Sequence, residues 1–189
     1  MHDDVALEFR VASEAWEFEQ IHRLNYATFV EEIPQHHADS SRLLVDKFHS
    51  QNTYITCWRG PRLIGMIAAR GERPFSLDGK LENLDSYLPS GRSCCELRLL
   101  AVEPSYRRGR VFRGLCKLVM AHCKRQGYDL ALISGTTRQQ KLYRHLGFVP
   151  FGPLVGTPGA LFQPMYLTLE RFEAGAKAFR PPSKASARR

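Results

Sequence analysis

Arg107, Arg108 and Arg110 crowd a turn that also holds Pro104 and Gly109. The turn follows an apolar run, residues 95–102, and precedes residues 111–126. In the second stretch Val111, Phe112, Leu115, Leu118, Val119 and His122 fall on one helical face. A strand, a turn and a helix start are expected in that order. A helix start presents unpaired N–H groups and the positive end of a dipole, and both favour phosphate. With three guanidinium groups beside it, the pattern suits a diphosphate. The other reading of the same residues is a solvated basic helix start.

Glu96 lies one residue inside the expected strand, among mostly apolar neighbours. Burying a carboxylate there is costly unless it is paired. On one reading, burial raises its pKa and it takes a proton from an amine, directly or through water. On the other, it forms a structural ion pair with Arg98 or Arg70. Glu103, at the strand end, is a weaker candidate for the same base. His36, His37 and Asp39 share a polar loop, a pattern that is usually solvated, and no metal is expected. The five cysteines are odd in number and contain no CxxC pair, so neither a zinc knuckle nor a disulfide framework is expected. Cys94 and Cys95 read as buried or half-buried thiols.

These residues need a scaffold. Residues 5–11 read as a strand, and residues 15–29 as a helix with Ser13 as N-cap. Residues 35–41 read as a loop, and residues 42–48 as a brief helical or extended segment. Residues 53–59 and 63–69 flank Gly60-Pro61 as a hairpin. Residues 70–92 read as a long loop with one short helix, of a length that often serves function. After the helix at 111–126, residues 130–133 read as a buried strand and residues 137–146 as a second helix stopped by Gly147. Residues 148–151 and 165–169 read as the last strands, with an apolar, glycine-rich loop at 152–164. Leu154, Val155, Leu161 and Phe162 in that loop can wall an apolar acyl pocket or form a dimer contact. The order implies an α/β fold: a mixed central sheet with helices on both faces.

The 189 residues suffice for one domain, expected over residues 1–172. Residues 173–189 read as a basic, disordered tail, whose last residues RPPSKASARR lack apolar periodicity. The net charge of +8 is partly in that tail and partly between Arg98 and Arg144. No helix-turn-helix or RNA-binding motif accompanies it, so no nucleic-acid partner is expected. No apolar run approaches the ~20 residues of a membrane span, and the acidic N-terminus lacks a signal-peptide pattern. A cytoplasmic protein, monomer or homodimer, is the expectation.

Residues 95–115 resemble motif A of the GNAT superfamily of N-acetyltransferases, in which a strand, turn and helix bind the pyrophosphate of coenzyme A. The matching order is Leu100-Ala101-Val102, Pro104, Tyr106-Arg107, then an apolar helix. The family turn reads Arg/Gln-x-x-Gly-x-Gly/Ala. Here Arg107, Arg110 and Phe112 stand at those positions, and the glycine is displaced to Gly109. Residues 137–148, TRQQKLYRHLGF, look like motif B.

The resemblance implies an N-acyltransferase and an acetyl-CoA or longer acyl-CoA donor, with a small-molecule amine as acceptor and no metal. The donor would be held by Leu100, Ala101, Val102, Arg107, Arg108, Gly109, Arg110, Val111 and Phe112. Glu96 falls on the strand that often carries the general base. Tyr143 falls at the tyrosine that protonates the departing thiolate; its other reading is a half-buried packing residue. The order Arg23, Tyr26, Phe29-Val30-Glu31-Glu32, Asp46, Thr53-Tyr54, Gly65, Glu96 is similar to the acyl-homoserine-lactone synthase and N-acyl amino acid synthase branch. That branch implies longer acyl chains, an amino-acid-like acceptor and acyl-carrier protein as an alternative donor. The altered glycine pattern leaves one further alternative, a non-catalytic acyl-CoA-binding module.

Overall fold

A computed structural model describes residues 6–107, 109–158 and 160–178 of the chain. Val5, Arg108 and residues 179–189 of the expected tail lie outside the described residues. The chain divides into two compact units, Met1–Ser76 with Cys95–Tyr128, and Leu77–Cys94 with Asp129–Arg189.

The first unit is an antiparallel ladder of β1 (Leu7–Val11), β2 (Thr53–Arg59), β3 (Arg62–Arg70) and β4 (Cys94–Val102), each paired with the next. Helix α1 (Ala15–Tyr26) lays Phe18, Ile21 and Leu24 on one face of it, against Tyr54, Trp58, Met66, Ala68 and Ala101. Helix α2 (Arg110–Arg125) takes the other face. There the chain spaces glycines for close approach. A Cβ at Gly65 would stand 2.8 Å from Val111 Cγ1, and one at Gly114 would stand 2.2 Å from the Phe9 ring.

The N-cap of α1 is Glu14, not the expected Ser13. The buried Glu17 carboxylate decides this by accepting the backbone N–H of Ser13 at 2.7 Å and of Glu14 at 2.9 Å. The helix does not stop at residue 29 but widens into a π-helical turn, Ala27–Glu32, with Ile33 N–H donating to Thr28 O. Residues 42–48 are neither helix nor strand.

The second unit holds β5 (Leu130–Thr136), α3 (Gln140–His145), β6 (Val149–Pro150), β7 (Val155–Thr157), β8 (Ala160–Thr168) and α4 (Leu169–Ala178). Strand β8 is antiparallel to β5, β6 and β7. A single 3-10 turn, Leu84–Tyr87, occupies the long segment before β4. The loop expected at 152–164 is instead mostly the β7–β8 hairpin, because backbone pairing of Val155–Thr157 with 160–162 satisfies its polar groups. The chain stays helical through Ala178, so the expected boundary at 172 falls inside α4. No helix among the described residues is long and apolar enough to cross a membrane.

Candidate active site

The turn before α2 is set by Gly109, whose φ of +88° is a left-handed conformation costly to a side chain. Gly109 is the N-cap, so Arg110 is the first helical residue. Arg110 is exposed, Val111 buried and Phe112 half-buried. The first turn of α2 carries no acidic residue. Free N–H groups in the first turn of a helix favour anions.

Arg107 departs from expectation. Its Nε donates to Val102 O at 2.8 Å, and its two terminal nitrogens donate to the two Glu32 oxygens at 2.6 Å each. This bidentate bond raises the Arg107 pKa and lowers that of Glu32. The expected phosphate ligand already holds a carboxylate. A cleft of about 1000 Å³ runs beside the pair, lined by Leu24, Thr28, Leu63 and Pro104 together with Glu32 and Arg107.

Strand β4 is bulged just before the turn. Met66 pairs with Ala101 but Ala68 pairs with Arg98, so Leu99 and Leu100 stand opposite Ile67 alone. Leu99 has a φ of +56°, uncommon for a leucine. An extra residue of this kind lifts backbone groups out of the ladder and re-aims the side chains beyond it. Of the expected donor-binding backbone, Leu100 lies in the bulge, while Ala101 and Val102 remain paired with β3.

On the α1 side of the bulge the register gathers charge. Arg70 pairs with Glu96 and Ala68 with Arg98, which puts Arg70, Glu96 and Arg98 on the face that carries Ala68. Glu96 is buried, and both its oxygens accept Ser76 N–H, at 3.1 and 3.0 Å; Oε1 also accepts Ser76 Oγ. Arg98 donates to Glu96 at 3.4 Å and to Asp46 at 2.7 Å. Of the two readings of Glu96, the ion pair with Arg98 is present.

Asp46 also accepts from Asn52 Nδ2 at 2.9 Å, and that amide reaches Tyr54 OH at 3.2 Å. Burial pushes the Tyr54 pKa up.

Arg70 is different. It is 1% exposed, yet none of its three guanidinium nitrogens has a hydrogen-bond partner among the described residues. Its Cζ lies 3.5 Å from the centre of the Phe48 ring, and that of Arg98 lies 4.7 Å from it. A cation–π contact worth about 2 kcal/mol when desolvated does not offset the several kcal/mol of burying an unpaired ion.

Tyr143 belongs to the second unit. Its ring fills the space over Gly135, where a Cβ would stand 2.8 Å away, and meets Phe148 edge-on. Burial raises its pKa, against a hydrogen bond to Thr136 that lowers it. In the β7–β8 hairpin Val155 is buried while Leu154 and Leu161 are exposed.

His36 and His37 are exposed, and among the described residues no three His, Cys, Asp or Glu side chains are grouped to hold a metal. Sequence reasoning named Arg70 only as an ion-pair partner, and Asp46 and Glu32 only within a family pattern. It passed over Phe48, Ser76 and Leu99, whose types carry no signal for a charge cluster or a bulge.

Solved structures share this fold. FeeM, an N-acyl amino acid synthase from uncultured soil microbes, superposes with a TM-score of 0.74 at 16% identity, over 93% of this chain and 99% of that one. The coenzyme A-dependent acyl-homoserine lactone synthase BjaI gives 0.73 at 19% identity, over 94% and 92%. An acyl-CoA N-acyltransferase from Pseudomonas aeruginosa gives 0.60 at 15% identity, over 85% and 99%. The expected α/β, GNAT-like fold class is borne out by these likenesses. No curated protein matches the sequence. The model of the family described as N-acyl amino acid synthase FeeM matches residues 20–169. The chain has a GNAT-like fold and is an acyltransferase that belongs to the N-acyl amino acid synthase family.

Proposed function

We propose that this acyltransferase moves an acyl group from coenzyme A to the amine of an amino-acid-like acceptor. The amine attacks the thioester carbonyl directly; a C–N bond forms and the C–S bond breaks. The observation that carries the reading is Arg70. Among the described residues no group hydrogen-bonds the three nitrogens of this buried guanidinium, and the acceptor's carboxylate is an anion of matching, planar geometry. Phe48 covers Arg70 from the irregular segment before β2, so acceptor entry involves movement of that segment. Glu96, fixed by Ser76 and Arg98 on the same face of β4, is the proposed acceptor of the amine proton. For Tyr143 we propose proton donation to the departing thiolate, a step for which a positioned phenol can serve. The N-terminus of α2 is proposed to hold the donor's phosphates.

The test follows thiol release from acetyl-CoA and a long-chain acyl-CoA against amino acids and their carboxamides. Amino acids react and carboxamides react poorly. Arg70→Met raises KM for amino acids about 10- to 100-fold, leaves KM for the donor and leaves the carboxamides unchanged. Its thermal stability holds or rises, because an unpaired buried charge is replaced by an apolar chain. Equal rates for acids and amides in the parent sink the reading. Loss of stability in Arg70→Met with an unchanged acceptor KM makes Arg70 structural.

A second reading of the donor has one observation in its favour. Arg110, Arg113 and Lys117 are exposed along α2, which carries no acidic residue. That face complements an acidic acyl-carrier protein, and the same assay with acyl-carrier protein as donor separates the two.

A further inference from the structure

The turn that should meet the donor's phosphates has an internal occupant. Glu32 ends the π-helical extension of α1 and grips both terminal nitrogens of Arg107, while Arg107 Nε stays anchored on Val102 O. The two side chains are 43% and 40% exposed, so the pair contributes little to the fold. A phosphate presents the same bidentate oxygens with more charge. Exchange therefore swaps one charge-assisted contact for a stronger one without unfolding anything. The neighbouring acids of the same wall are already taken: Glu31 by Arg42 at 2.5 Å, and Glu103 by Arg62 at 2.7 Å. A displaced Glu32 thus returns to solvent rather than to another cation, and the competition is reversible.

We propose that Glu32 is a specificity-determining competitor at the donor turn, occupying Arg107 until a donor phosphate displaces it. Thioesters that bring phosphate to the turn must displace Glu32 and short pantetheine thioesters need not, so Glu32 narrows the preference for phosphate-bearing donors that Arg107 creates. The inference rests on the proposed coenzyme A donor. Glu32 touches no reacting atom in this scheme; it acts through Arg107.

Calorimetric titration with coenzyme A and with pantetheine tests it on the full chain and three variants. Glu32→Gln tightens coenzyme A binding about fivefold, the size expected when an exposed ion pair no longer competes. Arg107→Met weakens it, and the double variant matches Arg107→Met alone. Pantetheine binds all four proteins equally. Circular dichroism melting checks that each is folded, and an added control, Glu32→Ala, must behave as Glu32→Gln does. If the parent binds coenzyme A and Glu32→Gln binds it no tighter, the competitor idea is overturned and the pair is a strut. If neither protein binds coenzyme A, the donor reading itself has failed, and the inference with it.

Discussion

Tyr143 is held as a phenol. Burial raises its pKa, and its ring sits where Gly135 leaves room for it. A tyrosine that only packs would be replaced by phenylalanine at no cost to rate. A tyrosine that protonates a thiolate would not. Tyr143→Phe is expected to lower kcat about 10²-fold with donor binding unchanged, in single-turnover and titration measurements. An unchanged kcat assigns the residue to packing. The role proposed for Tyr143 comes only from its family motif, since its helix has no clear apolar stripe. Glu96 was legible from physics alone, as a carboxylate inside an apolar strand. Its ion pair with Arg98 was among the readings, but Ser76 and the Asp46 that Arg98 also meets were not, because they lie 20 and 52 residues from the groups they meet. The pairing of Arg107 with Glu32, 75 residues away, was equally hidden. Guanidinium groups in a turn look the same in sequence whether they await a phosphate or already hold a carboxylate.

Elements with a strong period were read correctly, among them the β2–β3 hairpin and α2 with its C-terminal Gly127. The errors fall where local pattern does not decide. The π-helical turn after α1 continues a helical pattern whose hydrogen bonds merely lengthen by one residue. The bulge at Leu99 inserts a residue into an unbroken apolar run, and a leucine gives no warning of a positive φ. Arg98 and Ala101 are three positions apart, so without the bulge strict alternation would send them to opposite faces. With it, both lie on the α1 side, where Arg98 meets Glu96 and Asp46. Leu99→Ile tests this at constant volume. A β-branched residue resists the left-handed conformation, so the variant should lose about 1–2 kcal/mol in urea unfolding and lose acceptor turnover with it. Full stability and activity would show that the bulge is not needed to set the charge cluster.

Across the whole molecule, proton binding separates two windows. His22 has its pKa lowered first by burial and then by His49, whose ring lies 4.7 Å away; no described residue hydrogen-bonds the buried His22 Nδ1. His122 is lowered by burial and by Arg125. Both stay neutral in the fold at a pH where the unfolded chain, with an ordinary value of 6.5, takes a proton. The unfolded state then binds more protons, so stability rises with pH there. The contribution of each histidine is whole above 6.5 and is lost as pH falls through that value towards the lowered one. Glu32 and Glu170 are lowered by their arginine partners, Glu170 to about 2, so their losses begin only below the ordinary carboxylate value of 4.5. Urea midpoints should therefore fall between pH 7 and 5, before any carboxylate contributes. His22→Gln and His122→Gln should each flatten that fall, and neither should change the slope below pH 4.5. A midpoint that is level from pH 7 to 5 would mean that neither ring is kept neutral by the fold. A fall that survives both substitutions would move its origin to other groups. In either case the burial of His22 against His49 would cease to explain how α1 and the segment before β2 respond to acid.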